Sequence, residues 1–296
     1  MLTKALKNIL STSDIKTQLR ISRQFIPSTK ELKPAKGFTD DPMHEKNISI
    51  GHANEFIHKY PDKILVISSN QCAVLCRFCT RKRVTYQNIS QNDLESPSTD
   101  FIKVVEYIQK HKDIQEVIFS GGDPFMLSNK NIQKLLDIFL RIPQIKKIRF
   151  HSRALTVLPE RFNTSLFTIF TDSFKKYPDK QALLVLHINH PEEISKKALD
   201  VIHKFMKCGF SILCQTVLLR HVNDDVQLLQ DLFKKLIYHG IKPYYLHQLD
   251  KVTGSSHFEV SIENGIKLIE SLRNTLPLCI IPPYVIDGSQ GKKRII

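Results

Sequence analysis

Short runs of apolar and β-branched residues alternate with longer amphipathic stretches from Ile64 onward. Six runs are predicted to be strands, at 64–68, 116–120, 147–151, 182–189, 211–219 and 244–249. Helical spacing separates or follows them at 100–111, 131–141, 166–177, 191–207, 224–238 and 262–274. Strands that are apolar almost throughout and alternate with helices are typical of a parallel sheet covered by helices. The pattern therefore predicts an α/β protein built from six βα units.

Six βα units with right-handed crossovers curl towards a partial (β/α)6 barrel of the TIM type. A flat, doubly wound sheet is the alternative, and the pattern alone does not separate the two. We expect the partial barrel, in a domain that spans residues 46–296. Residues 1–45 are predicted to form an N-terminal helical extension, because apolar residues keep helical spacing there and Ser13-Asp14 is suited to cap a second helix.

Three of the six cysteines lie within eight residues, as Cys72, Cys76 and Cys79. Soft thiolate ligands select an iron–sulfur cluster or zinc, and a structural zinc site would require a fourth ligand that does not follow nearby. The same spacing also fits one face of a buried helix. However, four basic residues crowd this stretch, and a buried face would not normally carry them: Arg77, Arg81, Lys82 and Arg83. The motif therefore favours a [4Fe–4S] cluster with one iron left open.

Every predicted strand ends in polar or reactive side chains, and ligands bind at the carboxyl ends of strands in folds of this class. In chain order these groups are Cys72, Cys76 and Cys79; Ser120-Gly121-Gly122-Asp123; Ser152-Arg153; His187 and Asn189; Gln215; and His247 and Asp250. Any single one of them could be an ordinary polar residue at a strand end. Together they predict a functional site at this edge of the sheet.

Composition changes the picture little. A chain of 296 residues with 42% hydrophobic content can bury a sizeable core, and no apolar run reaches the about 18 residues of a membrane span. The cysteine pattern suits a reducing compartment, so we expect the cytoplasm. The net charge of +14 invites anionic partners, but the basic residues are scattered, and a nucleic-acid partner is not expected.

The stretch Cys72-Ala-Val-Leu-Cys76-Arg-Phe-Cys79-Thr-Arg-Lys-Arg83 resembles the cluster motif of the radical S-adenosylmethionine (SAM) enzymes, and specifically of the lysine 2,3-aminomutases. The similarity extends from about Gly37 to Lys293. It implies that the three cysteines hold the cluster and that SAM binds at the open iron. The short C-terminal tail and the phrase Tyr245-Leu-His-Gln-Leu-Asp-Lys-Val resemble the branch that makes β-lysine for the modification of elongation factor P.

The resemblance also assigns the SAM pocket. Ser120-Gly121-Gly122-Asp123 is similar to the motif that binds the methionyl amino group, because two glycines let the backbone approach a ligand closely. Five further residues match positions that line the pocket in this family: Ser152, Arg153, His187, Asn189 and Gln215.

A second cofactor, pyridoxal 5′-phosphate (PLP), is implied by the family. Lys59, Tyr60 and Lys63 match the group that holds its phosphate, although the family usually has arginine at both lysine positions. The family ends its barrel with an acid, a glycine-rich turn and the lysine that carries PLP. Here the turn Asp287-Gly-Ser-Gln-Gly-Lys-Lys-Arg294 is one residue shorter. We expect Lys293 to carry PLP, and Lys292 is the alternative.

The substrate residues follow from the same resemblance. Arg81 lies where the family binds the substrate carboxylate, and the guanidinium fork suits that role. Asp250 and Asp287 match the two acids that bind the distal ammonium of lysine. The resemblance therefore implies an isomerase that converts L-lysine to β-lysine. Its cluster would be reduced by an electron donor such as flavodoxin or ferredoxin.

Three alternatives stay open at this point: an aminomutase for another amino acid, a radical SAM enzyme without PLP, and a basic iron–sulfur or zinc protein that binds RNA. The sequence also leaves open the stereochemistry of the product and the formation of a homo-oligomer.

Overall fold

The computed structural model describes residues 2–45, 49–50, 55–82, 85–87, 100–288 and 291–296. Arg83 of the cysteine motif and Ser289 and Gln290 of the C-terminal turn lie outside these residues. The helices of the described part are α1 (Lys4–Thr12), α2 (Ile15–Ser22), α3 (Phe101–Lys110), α4 (Asn129–Phe139), α5 (Ala154–Val157), α6 (Thr164–Lys176), α7 (Lys196–Lys207), α8 (Val226–Tyr238) and α9 (Ile262–Arg273). The strands are β1 (Ser49–Ile50), β2 (Phe56–Tyr60), β3 (Lys63–Ser69), β4 (Gln71–Cys72), β5 (Tyr86–Gln87), β6 (Glu116–Gly121), β7 (Lys147–Ser152), β8 (Gln181–His187), β9 (Phe210–Val217), β10 (Lys242–His247), β11 (Tyr284–Gly288) and β12 (Gly291–Arg294).

One sheet of the described residues has the strand order β1-β2-β3-β6-β7-β8-β9-β10-β11-β12. The strands from β3 to β11 in this sheet pair in parallel, and each lies beside the next strand along the chain. A doubly wound sheet would reverse its strand order at a switch point. The order never reverses, which rules out the flat alternative and confirms the partial barrel of the TIM type.

Side chains alternate between the two faces of each strand, as extended backbone requires. In β7, Ile148 and Phe150 are fully buried in the main hydrophobic core between the sheet and the helices. Arg149 and His151 alternate with them along the strand and therefore face the inside of the barrel. All six predicted strands and the six helices that separate or follow them are confirmed, and the inner face of the sheet is the one that carries polar groups.

The structure adds strands at both edges that the apolar pattern did not predict. At one edge β2 pairs antiparallel with β3. At the other edge β11 pairs in parallel with β10, and β12 returns antiparallel to β11 with Asp287 opposite Lys292. Because β12 has the sequence Gly-Lys-Lys-Arg, it has no apolar periodicity that could have revealed it.

The two edges of the partial barrel meet near their ends. Lys59 Nζ donates to the carbonyl oxygen of Gly288, and the Lys292 N–H donates to Tyr60 Oη at 2.7 Å. Gly291 has φ +112°, and a Cβ atom at this position would lie 2.9 Å from Tyr60 Oη. This glycine is therefore needed for the close approach of β12 to Tyr60.

The N-terminal helices pack over the cysteine loop. Asp14 caps α2 by accepting from the Thr17 N–H, as its sequence predicted. A small apolar cluster joins this segment to the loop and to the segments after β6 and β7: Leu6, Ile9, Ile21, Phe25, Ala73, Val74, Met126, Val157 and Leu158. The division into domains at residue 45 stays a prediction. No helix among the described residues has the length and apolarity needed to cross a membrane.

Candidate active site at the carboxyl ends of the strands

The cysteine loop begins where β3 ends, and the glycines after β6 hold it in place. The Gly122 N–H donates to Ser69 O at 2.6 Å, and the Asp123 N–H donates to Gln71 O at 2.7 Å. A Cβ atom at Gly122 would lie 2.3 Å from the Gln71 oxygen, so no larger residue fits without moving the loop. The close packing of the cysteine loop thus requires glycine at position 122. The predicted contact of the glycine pair with SAM stays a prediction.

The three predicted cluster ligands, Cys72, Cys76 and Cys79, are free thiols of intermediate exposure on one loop. Burial raises the pKa of Cys79 to about 11, with a further contribution from Cys76. Burial also raises the pKa of Cys72 well above its ordinary value, and Asp123, Cys79 and Cys76 add to the shift. The sulfur atoms are therefore close enough for negative charge on one to disfavour charge on the others.

The surroundings of the sulfur atoms fit a cluster. Arg153 Nη1 donates to Cys76 Sγ at 2.9 Å, and the Arg81 N–H donates to Cys79 Sγ at 3.4 Å. Such donors stabilise thiolates and tune a bound cluster. Within the described residues, no three His, Cys, Asp or Glu side chains are close enough to surround a single metal ion. A cubane does not require that spacing, because each cysteine binds a different iron.

A buried polar network surrounds Arg153. Its Nη2 atom donates to Gln24 Oε1 at 2.6 Å and to Glu193 Oε2 at 2.7 Å. Asn189 Nδ2 donates to the same Gln24 oxygen at 2.9 Å, and Gln24 Nε2 donates to Glu193 Oε1 at 3.1 Å. Gln24, Asn189 and Glu193 are fully buried. The predicted residues Arg153 and Asn189 are therefore brought together beside Cys76.

Gln24 and Glu193 are site residues that the sequence analysis missed. Gln24 comes from the N-terminal segment, 129 residues away from Arg153 in the chain, and no motif marks it. Glu193 follows Pro191 in the stretch 191–207 that is predicted to be helical, although it belongs to a short 3-10 turn before α7. An acid just after the proline that starts a helix is usually exposed, so no sequence pattern indicates that Glu193 is buried.

The side chains of Asp123 and Ser152 form hydrogen bonds with each other. The Asp123 carboxylate accepts from Ser152 Oγ at 2.9 Å and from the backbone N–H groups of Arg153 and Ala154 at 2.8 and 2.9 Å. These bonds fix the turn after β7 that presents Arg153. The observed contacts of both residues are within the protein, and their predicted role in the SAM pocket stays a prediction.

Three histidines face the inside of the barrel: His151 on β7, His187 on β8 and His247 on β10. The Nε2 atom of each is buried without a hydrogen-bond partner among the described residues. Burial lowers the pKa of His151 and His187 well below the ordinary value and also lowers the pKa of His247. Gln215 lies next to His187 in the paired strands. Buried nitrogen atoms without partners are expected where a ligand or water binds.

The opening of the barrel at the carboxyl ends of its strands is called the barrel mouth. The predicted acids Asp250 and Asp287 lie across it from the cysteine loop. Asp287 Oδ2 accepts from Lys292 Nζ at 2.6 Å and lies 3.5 Å from His247 Nδ1. Burial opposes ionisation of Asp287, but His247 and Lys292 together lower its pKa to about 2. For Asp250, burial and the nearby Asp287 raise the pKa to about 7. The two carboxylates therefore share one charged environment that also contains Lys292.

Arg81 is paired with an acid that the sequence analysis did not single out. Its Nη2 atom lies 2.6 Å and 2.8 Å from the two carboxylate oxygens of Glu45. Glu45 and Lys292 both influence the pKa of Asp250, which places the Arg81–Glu45 pair near the acid pair. The residues predicted to bind the substrate carboxylate and the distal ammonium therefore lie near one another.

The two candidate PLP lysines lie on opposite faces of β12, because neighbours on a strand alternate. Lys292 faces inward, with Nζ on Asp287 and 5.8 Å from the centre of the Tyr245 ring. Lys293, opposite Ile286 in the strand pair, faces the other way. Of the predicted phosphate-binding residues, Lys59 and Tyr60 contact the C-terminal hairpin, whereas Lys63 lies 3.2 Å from Asp62 and 5.2 Å from the Tyr60 ring centre.

Comparison with known proteins gives a consistent result. Residues 66–232 match the family model described as the radical SAM superfamily. The chain is 35% identical over 271 residues to an L-lysine 2,3-aminomutase of Haemophilus influenzae, covering 91% of this chain and 77% of that protein. An L-lysine 2,3-aminomutase of Escherichia coli is also 35% identical, over 91% of this chain and 76% of its own length.

Among solved structures, a radical SAM methyltransferase from Sphaerobacter thermophilus superposes with a TM-score of 0.51 at 17% identity. The match covers 80% of this chain and 69% of the methyltransferase. At this level of identity the likeness concerns the fold alone.

Proposed function

The chain belongs to the lysine 2,3-aminomutase family of the radical SAM superfamily, and from this we propose that it isomerises L-lysine to β-lysine with PLP as a second cofactor. It is an isomerase that uses a [4Fe–4S] cluster and SAM. The observation that carries the proposal is the arrangement of charges inside the barrel. Arg81 and its partner Glu45 lie near two partly buried acids, Asp250 and Asp287, and Lys292 of the edge strand contacts Asp287.

This arrangement matches the charges of lysine. A planar guanidinium binds a carboxylate through paired hydrogen bonds, and Arg81 already makes such contacts with Glu45. A buried acid pair binds a distal ammonium, and we propose Asp250 and Asp287 for this role. Removing one member of a buried charge pair typically costs about 2–5 kcal/mol of affinity. A substrate without the distal charge would leave the acid pair without a partner.

The residues present also fit PLP. We propose that Lys292, rather than Lys293, carries the cofactor, because only Lys292 lies on the inner face of β12. Lys59 and Tyr60 lie beside this hairpin and Lys63 lies close to the Tyr60 ring, so these three side chains would hold the phosphate. When bound, PLP supplies a π-system that stabilises an unpaired electron next to the migrating nitrogen.

On the opposite side of the barrel mouth, Cys72, Cys76 and Cys79 would hold the cluster, with SAM among the strand-end residues named above. Held there, the cluster and SAM would supply the carbon radical that the reaction needs. Arg153, fixed by Gln24 and Glu193, places positive charge at Cys76. Burial lowers the pKa of His151 and His187 and so favours their neutral imidazoles, which add no positive charge to this side of the barrel.

The test is an anaerobic incubation of reconstituted protein with dithionite, SAM, PLP and L-lysine, with amino-acid analysis for β-lysine. We expect β-lysine and cleavage of SAM.

Borohydride reduction of the PLP-loaded enzyme should attach PLP to the peptide that contains Lys292, and K292Q should lose this product whereas K293Q should keep it. SAM cleavage with no β-amino acid from lysine would contradict the proposed substrate, and labelling of Lys293 would contradict the assignment of Lys292.

Two further parts of the proposal rest on family resemblance. The β-lysine would serve the modification of elongation factor P, as in the short branch that the C-terminal sequence resembles. The electron donor would be a flavodoxin or ferredoxin. Loss of β-lysyl elongation factor P on deletion of the gene, with recovery on addition of β-lysine, would support the first part.

A further inference from the structure

Both positions proposed to bind the ends of lysine are paired with charges from the chain itself. Arg81 Nη2 lies 2.6 and 2.8 Å from the carboxylate oxygens of Glu45. Asp287 Oδ2 lies 2.6 Å from Lys292 Nζ. The protein thus places its own carboxylate at the proposed carboxylate site and its own ammonium at the proposed ammonium site.

The ammonium of Lys292 and the ammonium of a substrate compete for Asp287. Two like charges a few ångströms apart repel each other, and the repulsion is stronger beside a protein than in bulk water. Asp250 does not offer an equal second site, because burial and Asp287 favour its neutral form. As long as Lys292 remains a primary ammonium, the acid pair is therefore poorly prepared for a second cation.

Attachment of PLP removes this competitor. The Lys292 nitrogen forms a double bond to the aldehyde carbon of PLP, the aldehyde oxygen leaves as water, and the extra proton of the ammonium passes to solvent. No redox change is involved. The primary ammonium on Asp287 is consumed by this condensation, and the acid pair is left with an uncompensated negative charge.

We propose that Lys292 is an internal placeholder for the distal ammonium of the substrate, and that attachment of PLP to Lys292 opens the ammonium site. The inference rests on the proposed function, since it takes Lys292 as the PLP lysine and lysine as the substrate. Because coupling between two ligands is reciprocal, lysine binding in turn favours the PLP-loaded enzyme. The Glu45–Arg81 pair contains no group that PLP consumes, so the carboxylate site gains nothing from PLP by this route.

The proposal can be tested by binding alone. We choose 6-aminohexanoate, which has a carboxylate and a distal ammonium but no α-amino group, and hexanoate as the probe without the ammonium. The protein with its reconstituted cluster is titrated calorimetrically without reductant, once with PLP bound and once without it. Each titration gives the Kd of the probe. We expect PLP to tighten 6-aminohexanoate about tenfold or more, which is about 1.4 kcal/mol, and to leave hexanoate unchanged.

Variants separate the placeholder from other effects of PLP. K292Q should bind 6-aminohexanoate without PLP as tightly as the loaded wild type, whereas K292R keeps a cation on Asp287 and should bind weakly with or without PLP. K146Q removes the same charge from an exposed lysine just before β7 and should behave as the wild type. Circular dichroism of each variant checks that it is folded.

The outcomes distinguish this inference from the proposed function. Equal affinity of the wild type with and without PLP, or K292Q no tighter than the PLP-free wild type, would overturn the placeholder role. If lysine and 6-aminohexanoate fail to bind every form while SAM is still cleaved, the proposed substrate is wrong, and the placeholder role fails with it.

Discussion

The two sides of the barrel mouth are built in opposite ways. On the cysteine side, Arg153 is fixed by Gln24 and Glu193, which are fully buried and come from distant parts of the chain. On the substrate side, Asp287 holds Lys292 across a hairpin at the edge of the sheet, and the Lys292 side chain is 31% exposed. The first side is fixed by tertiary packing, and the second by a hairpin whose outer strand, β12, pairs with a strand on one side only.

This difference indicates how each side serves the reaction. A network whose members are all satisfied keeps one geometry, which suits the precise placement of a cluster and SAM. An internal ion pair at an edge can exchange one partner for a ligand at modest cost, which suits a substrate that must enter and leave. The predictions below test whether rigidity and exchange are divided between the two sides in this way.

The largest effect is expected from Arg153→Met. This substitution leaves Glu193 buried without its counter-ion, and breaking a buried pair in this way costs about 3–5 kcal/mol. Anaerobic urea unfolding of the reconstituted protein, followed by circular dichroism, measures the loss. Arg20→Met breaks the more exposed pair with Asp225 and should cost about 0–1 kcal/mol.

The double variant R153M/E193Q sharpens this test. Removing the charge of Glu193 as well should recover part of the stability that R153M loses, because the uncompensated charge is then absent. Equal costs for R153M and R20M, or no recovery in the double variant, would mean that the cysteine side is not held by this ion pair.

The fold was largely predictable from sequence, because local periodicity specifies βα units. The six central strands and the helices that follow them are confirmed at nearly the predicted residues. The strand β12 was not predictable, because its residues Gly291–Arg294 are held by backbone pairing with β11 and contain no apolar side chain. The choice between a partial barrel and a flat sheet depends on the strand order, and the periodicity of apolar residues does not specify that order.

Site residues that belong to one local motif could be predicted from the sequence. Site residues that meet only because distant segments pack together could not. The three cysteines and the strand-end residues could be named because they follow local patterns. Gln24 and Glu45 lie 129 and 36 residues from the arginines they contact, and no spacing rule connects them. The choice between Lys292 and Lys293 depends on the strand register, because a shift of one residue exchanges the inner and outer faces.

The second prediction concerns Asp250 and pH. Its pKa is raised to about 7 in the folded protein from 3.8, so the folded state holds a proton that the unfolded state releases between these values. This favours folding at low pH, and the contribution is lost as the pH rises through 7. Relative to D250N, the wild type should lose about 1–3 kcal/mol of stability between pH 5 and pH 8, since one pKa unit corresponds to about 1.4 kcal/mol.

Urea unfolding of both proteins at several pH values measures this difference. Asp231→Asn, at a residue that accepts from Gln227 on the exposed face of α8, should follow the wild type at every pH. Parallel curves for the wild type and D250N would mean that Asp250 is ionised throughout, and that the substrate side carries more negative charge than the structure indicates.

The smallest effect is expected from Tyr60→Phe, which tests how β12 is held. Tyr60 Oη accepts from the Lys292 N–H at 2.7 Å, and losing one hydrogen bond of this kind costs about 0.5–1.5 kcal/mol. Because this bond joins the two sheet edges, the loss should appear as faster hydrogen exchange in residues 291–296 while exchange in β7 and β8 stays unchanged. Tyr238→Phe, at a side chain that is 85% exposed, is the matched control. Faster exchange throughout the barrel in Y60F would show that the substrate side unfolds together with the cysteine side, and that only one cooperative unit exists.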